Sequence, residues 1–356
     1  MEKLELLYAK MVFRLNTDRR LALIRKLASL LRNNFSLMDA LRRIEQIESK
    51  NGTKPDEPYA IAMRAWQHGL ERGLSFSDAT RGWLVGVENL LLTSANVSDL
   101  TRALENMETV VNSITKIKRA MRNAIAYPLF LLVLTFAIII MVGMYLVPPL
   151  AAVAGPNVVW TGAANLLILV SEFSIKYWHI IAGVFLGLIL LVWVSLPNWT
   201  GALRAKFDNI APWSIYKIHI SVGWLMSLSA FVAAGVSVPD AMRTLADNSN
   251  RYLRDILEST LRYIANGDNL GVALANTKRD FPNAEMIGDL TIYSDMNDFA
   301  QNISNVATDY LQNSVRKMES LSGALNSFGI LLVSAIIAWV VLATFQMQDQ
   351  ITMMLG

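Results

Sequence analysis

Leu27–Leu41 reads LASLLRNNFSLMDAL, and Leu228–Met242 reads LSAFVAAGVSVPDAM. The two stretches align at a constant offset of 201 residues, and the correspondence is one of chemistry as well as of letters. Asn34 and Gly235 fall at the same place, and both residue types tolerate the left-handed conformation that ends a helix. Two residues later, Ser36 and Ser237 are each suited to cap the next helix, with Asp39 and Asp240 at its third position. The sequence therefore predicts one helix–turn–helix written twice.

The agreement continues downstream. Gly73-Leu74-Ser75-Phe76 answers to Gly267-Asp268-Asn269-Leu270: a helix-ending glycine, a capping side chain and an apolar residue. Ser98-Asp99-Leu100 and Asn297-Asp298-Phe299 form a third pair, with a cap and an acid at the positive end of a helix. Leu21, Ile24, Leu27 and Leu31 recur at helical spacing, as do Leu253, Ile256, Leu257, Leu261 and Ile264, and alternating β-branched runs are missing. Each copy is expected to be a bundle of five or six short helices. Thr101–Arg122 and Ala300–Ser320 contain no Pro or Gly, so the last helix of each copy should run directly into the apolar segment that follows.

Those apolar segments set the class. A chain of 356 residues with 53% hydrophobic residues and 17% charge is too apolar for an ordinary soluble protein and too charged for one wholly in lipid. No charged residue occurs between Arg122 and Glu172, between Lys176 and Arg204, or between Glu319 and Asp349. Each gap holds a stretch long enough to cross a hydrocarbon core of about 30 Å. Ala163–Val170, after the breakers Pro148, Pro149 and Pro156, reads as a shorter helix at the outer interface leading into the second span. The fold class is all-α: a polytopic membrane protein with two homologous cytoplasmic helical-bundle modules and three transmembrane helices.

Basic residues orient it. Lys116, Lys118, Arg119 and Arg122 precede the first span, Arg204 and Lys206 follow the second, and Arg316 and Lys317 precede the third. By the positive-inside rule these ends are cytoplasmic. The expected organisation is module 1 over 1–122, a span over 123–148, a periplasmic loop with interfacial helix over 149–176, and a span over 177–198. Module 2 follows over 199–320, then a span over 321–346 and a periplasmic tail over 347–356. Two spans between the copies return both to one side, as duplication requires. Glu5, Lys10 and Arg14 interrupt the amino terminus, which has no apolar run of signal-peptide length, so the spans themselves should direct insertion.

Several chemistries are excluded. There is no cysteine, hence no disulfide or thiolate site, and no glycine precedes a lysine, hence no Walker-type phosphate loop. His68, His179 and His219 lack metal-ligand spacing. The acids Asp280, Glu285, Asp289, Asp295 and Asp298 are unevenly spaced and read as a solvated surface rather than a cation site. No catalytic residue, cofactor or metal is assigned, and a net charge of +3 does not argue for nucleic acid. Span interiors carry no ionisable side chain except His179 near an interface, which weakens an ion-coupled carrier. Gly183-x-x-x-Gly187 reads as packing within the chain or as a close approach by another helix.

Taken in order, these residues resemble the inner-membrane platform proteins of type IV pilus and type II secretion machines, the PilC and GspF group. The resemblance rests on the repeated Leu-rich helix with Asn34 or Gly235, Ser36 or Ser237, and Ala40-Leu41 or Ala241-Met242. It rests also on Gly73 and Gly267, on Ala126-Tyr127-Pro128 entering the first span, and on Val147-Pro148-Pro149 leaving it. One element departs: where relatives carry Gly-Glu-x-Ser/Thr-Gly, this chain has Ser94-Ala95-Asn96-Val97-Ser98 and Tyr293-Ser294-Asp295-Met296-Asn297. No role of that glutamate is carried over. The divergence points to a type IVb or conjugative thin-pilus branch.

The resemblance implies a bacterial inner-membrane scaffold, amino terminus cytoplasmic and carboxy terminus periplasmic, that forms homo-oligomers in contact with membrane lipid. It couples a hexameric assembly ATPase to the extraction of pilin or pseudopilin, alongside other inner-membrane assembly proteins. The alternative is an ATPase-energised transporter or permease subunit. For partner contact the candidates are Arg42, Arg43, Arg72 and Arg81 in module 1 and Arg243, Arg251 and Arg254 in module 2.

Overall fold

A computed structural model describes residues 3–84, 86–93, 100–155, 158–294, 296 and 298–355. The expected caps at Ser98-Asp99 and Asn297, the stretch Ser94–Ser98, the breaker Pro156 and the acid Asp295 lie outside the described residues.

Every regular element among the described residues is helical. Module 1 comprises α1 (Lys3–Leu15), α2 (Thr17–Arg32), α3 (Leu37–Glu48), α4 (Pro58–Glu71), α5 (Phe76–Ala79), α6 (Val87–Thr93) and the start of α7 (Leu100–Met141). A π-helical turn, Val142–Leu146, joins α7 to α8 (Val147–Ala154), and α9 (Gly162–Asn198) follows. Module 2 repeats the order with α10 (Ala202–Phe207), α11 (Trp213–Ala233), α12 (Val238–Asp247), α13 (Arg251–Ala265), α14 (Leu270–Asn276), α15 (Ala284–Tyr293) and α16 (Phe299–Leu355).

The repeated letters make repeated geometry. At the end of α2, Asn34 has φ 61°, its N–H donates to the Leu31 carbonyl at 3.0 Å, and the Phe35 N–H donates to Leu30 at 3.1 Å. At the end of α11, Gly235 has φ 82°, with Gly235 to Val232 at 2.9 Å and Val236 to Phe231 at 3.0 Å. Both are Schellman closures, in which the left-handed residue lets two N–H groups satisfy orphan carbonyls. Ser36 Oγ then accepts from the Asp39 N–H at 3.1 Å, and Ser237 Oγ from Asp240 at 3.3 Å. The second pair matches as well: Gly73 and Gly267 close α4 and α13 the same way, while Ser75 and Asn269 cap α5 and α14.

The chain divides into two compact units. One comprises Met1–Lys118 with Pro197–Ser314, the other Arg119–Leu196 with Val315–Gly356. The two modules, read from sequence as separate bundles, thus belong to one body. Its cores centre on Phe13, Tyr59 and Trp66 in module 1 and on Trp224, Tyr252 and Phe281 in module 2.

Among the described residues, four helical runs are long and apolar enough to cross a membrane, one more than expected. The additional one is α11, and 72% of its most apolar window is buried inside the protein, against 28% or less in the other three. A helix apolar on all sides is either a span or the centre of a core. As the counterpart of α2 within module 2, α11 is the latter.

In the second unit, the π turn, α8, α9 and α16 supply a core of Val142, Val147, Ala164, Leu167, Ala343 and Met347, against which Ile138 of α7 packs. Gly143 in the π turn lets α9 approach, and Ser171 Oγ donates to the Gly143 carbonyl. Gly329 is similarly close to Leu131, where a Cβ would come within 2.7 Å of Cδ1. Gln346 Oε1 accepts from the Ala163 N–H at 2.8 Å, satisfying an orphan donor at the start of α9. Three expectations shift here. Pro148 and Pro149 open α8 instead of ending the helical run, the helix over Ala163–Val170 is continuous with the second span, and the tail after Phe345 remains helical to Leu355.

Candidate functional site

The surface shared by the two modules is the candidate site. Helix α6 packs on α11. The absence of a side chain at Gly223 leaves room for Ile114 of α7, which would lie 3.7 Å from a Cβ there. A cleft of about 240 Å³ opens along this seam, lined by Val87, Leu90 and Ile114 from module 1 and by His219, Trp224 and Leu253 from module 2. Burial lowers the His219 pKa to about 4, and the Lys118 ammonium adds to the shift. The imidazole is therefore neutral at physiological pH. Ser227 and Ser249 also line the cleft, and their hydroxyls donate to the Gly223 and Leu245 carbonyls at 2.7 and 2.5 Å. Among the described residues no group of three or more metal-ligating side chains is placed to hold an ion.

Each module holds its preceding helix with a buried guanidinium. Arg20 on α2 donates to Glu88 of α6 at 2.7 Å and, through Nη1, to the Phe13 and Arg14 carbonyls at the end of α1. In module 2 the cation sits on the preceding helix itself: Arg204 of α10 is fully buried, paired with Asp208, and lies over the Tyr252 ring at 4.5 Å. Tyr252 Oη donates to Asp208 at 3.0 Å. Burial raises the Asp208 pKa, against the opposing pull of Arg204. Arg279 completes the clamp, donating to the Gly201 carbonyl at 2.9 Å and to Asp255 at 2.6 Å.

The residues singled out from sequence are dispersed. Arg42 lies 4.0 Å from Asp39, Arg43 stacks on Phe35, Arg72 donates to the His68 carbonyl, and Arg81 pairs with Asp78. Arg243 pairs with Asp240, and Arg251 begins α13. Arg254 donates to the Ala246, Asp247 and Ser249 carbonyls, which makes it a staple between α12 and α13. Among the basic residues read from the sequence as topology signals, Lys116, Lys118, Arg119, Arg122, Lys206, Arg316 and Lys317 are exposed, while Arg204 points inward. Asp280 lies 3.5 Å from the buried Lys217. No neighbour lies within 4 Å of a Cβ built at Gly183 or Gly187.

Two features escaped the sequence reading. Gln346 and Gln350 bind the start of the α9 segment and carry no charge to draw attention. Helix α1 exposes Leu4, Leu7, Tyr8, Met11 and Leu15 on the side away from Ala9 and Phe13, and their helical spacing was a signal that could have been read.

Against this geometry, comparison with known proteins is specific. Residues 23–148 and 224–346 both match the family described as Type II secretion system (T2SS), protein F. The two matched segments begin 201 residues apart, the offset of the repeat. The chain belongs to the type II secretion system protein F family. As a member of it, the chain is also similar to toxin coregulated pilus biosynthesis protein E of Vibrio cholerae serotype O1. The two are 22% identical over 341 residues, covering 94% of this chain and 97% of the relative. This protein F family member is a multi-pass, all-α membrane protein with an internal duplication, and each matched segment covers most of one copy.

Proposed function

We propose that the chain is the inner-membrane platform of a type IV pilus or type II secretion machine, a non-catalytic scaffold that couples a cytoplasmic assembly ATPase to pilin extraction and fibre assembly. The observation that carries this reading is the family match in both copies, together with an end-to-end likeness to a pilus biosynthesis protein. The architecture supports it. Helices α7 and α16 each begin in a module and run unbroken into an apolar segment, so a displacement of the modules can reach the membrane without a flexible link.

In this reading both modules lie in the cytoplasm of a bacterial cell, the segment before α9 and the end of α16 lie in the periplasm, and the chain works as a homo-oligomer. The ATPase, the pilin or pseudopilin and other inner-membrane assembly proteins are its partners. The exposed arginines Arg42, Arg43, Arg72, Arg81, Arg243 and Arg251 are the first residues to test for ATPase contact.

Deleting the chain while retaining the ATPase and prepilin should abolish surface fibres, scored by electron microscopy. Normal piliation in the deletion strain would reject the proposal. Orientation is tested separately in this cysteine-free chain. A cysteine at Val159 should react with an impermeant thiol reagent in cells permeabilised at the outer membrane, and one at Asn266 should not. The opposite labelling would invert the topology.

A further inference from the structure

Helix α10 and the turn after it have two unlike faces. Inward, Arg204 and Asp208 are buried and bound to Tyr252, as described above. Outward, Leu203 and Ile210 are 65% and 55% exposed and Phe207 is 38% exposed, with Lys206 beside them. Leu203 and Phe207 are spaced i, i+4 and so share one face of α10, and the exposed Ile210 follows in the turn. Phe207 also belongs to an aromatic cluster, with ring centroids 5.1 Å from Trp199 and 5.2 Å from Trp213, and the two tryptophans 6.0 Å apart. Tryptophan beside aliphatic side chains and a lysine is the composition of a membrane–water interface.

Chain connectivity supplies the occupant. Helix α9, whose most apolar window is wholly unburied by protein, ends at Asn198. Leu203 follows five residues later, which even a fully extended chain spans in about 17 Å. The outward face of α10 therefore begins where a lipid-facing helix leaves the bilayer, and the apolar environment that covers α9 continues onto it.

We propose that α10 and the Trp199–Phe207–Trp213 cluster form a membrane-embedded elbow, with Leu203, Phe207 and Ile210 in the acyl–headgroup boundary and Lys206 reaching the lipid phosphates. The buried Arg204 on the other face fastens module 2 to this elbow. Arg204 then serves the membrane attachment from inside the protein, through Asp208 and Tyr252, while Lys206 supplies the lipid-facing charge. A displacement of module 2 is felt at the bilayer surface through α10 as well as through α16.

The absence of cysteine makes the test direct. Single-cysteine variants Leu203→Cys, Ile210→Cys and, as a water-facing control, Asn266→Cys are labelled with an environment-sensitive fluorophore. The full chain is reconstituted in phosphatidylcholine–phosphatidylglycerol vesicles. A nitroxide carried on the upper acyl chain should quench the probes at 203 and 210 at least twofold while aqueous iodide has little effect, with the reverse at 266. Iodide quenching at 203 and 210 equal to that at 266 would place the face in water and overturn the proposal. So would protection from both quenchers, which would mean that protein covers it. Both substituted side chains are largely exposed, and trypsin resistance equal to the parent chain confirms that each variant is folded.

Discussion

Helices α2 and α11 occupy the same place in the two copies and end in the same closure, yet they are held by opposite means. Six of the 16 residues of α2 are buried, and its polar side is strapped by ion pairs. Arg19 and Lys26 pair with Glu48, Arg25 with Glu108, and Arg32 with Glu105. Thirteen of the 21 residues of α11 are buried, and its only basic groups are Lys217 and His219. The first helix is amphipathic and rests on a core; the second is a core, set between its own module and α6 and α7 of the other. Duplication kept the local grammar and changed the surroundings.

The largest test of this contrast is the buried cation of module 2. Arg204→Ala should destabilise the chain by about 3–5 kcal/mol, because Asp208 is left buried without its partner. Arg204→Met with Asp208→Leu should recover most of the loss, as read by thermal unfolding in nanodiscs. Equal losses in the single and double variants would show that the clamp acts through something other than charge pairing.

A close approach comes next. Gly271 has no room for a side chain: a Cβ there would lie 2.1 Å from the Thr291 backbone nitrogen, so α14 and α15 touch backbone to backbone. The corresponding residue of module 1 is Ser77. Gly271→Ala should cost about 1–3 kcal/mol and Ser77→Ala well under 1, measured as shifts in unfolding midpoint. A tolerated Gly271→Ala would mean that the two copies are packed alike.

The joint should also be acid-sensitive through His219. The folded pKa of His219 lies near 4, below the ordinary value of 6.5, so the neutral form is the one that folding favours. Its contribution is complete above about pH 6.5 and is lost as pH falls toward 4, up to about 2 kcal/mol between pH 7 and pH 5. His219→Leu should flatten that slope in a pH series of unfolding midpoints.

What was legible in the sequence was local. Ser36 and Ser237, Asn34 and Gly235, and Gly73 and Gly267 act within a few residues of themselves, so their spacing sufficed to place the turns. The spans were legible because lipid imposes length and apolarity, and that criterion alone could not separate α11, which satisfies it inside a protein core. Arg204 shows a second boundary. Counted as a charge next to a span it orients the chain, but its burial depends on Tyr252, 48 positions away, and on a tertiary contact that no spacing encodes. Arg254 likewise reads as a free surface charge until the carbonyls of Ala246, Asp247 and Ser249 surround it.

Hydrogen exchange of the full chain in nanodiscs, at low and at high salt, tests the asymmetry most directly. The α11 amides should be the slowest in the two modules and indifferent to salt. The α2 amides should exchange faster and gain further, by less than about tenfold, when salt screens the pairs with Glu48, Glu105 and Glu108. Equal protection of α2 and α11 at both salt concentrations would contradict it.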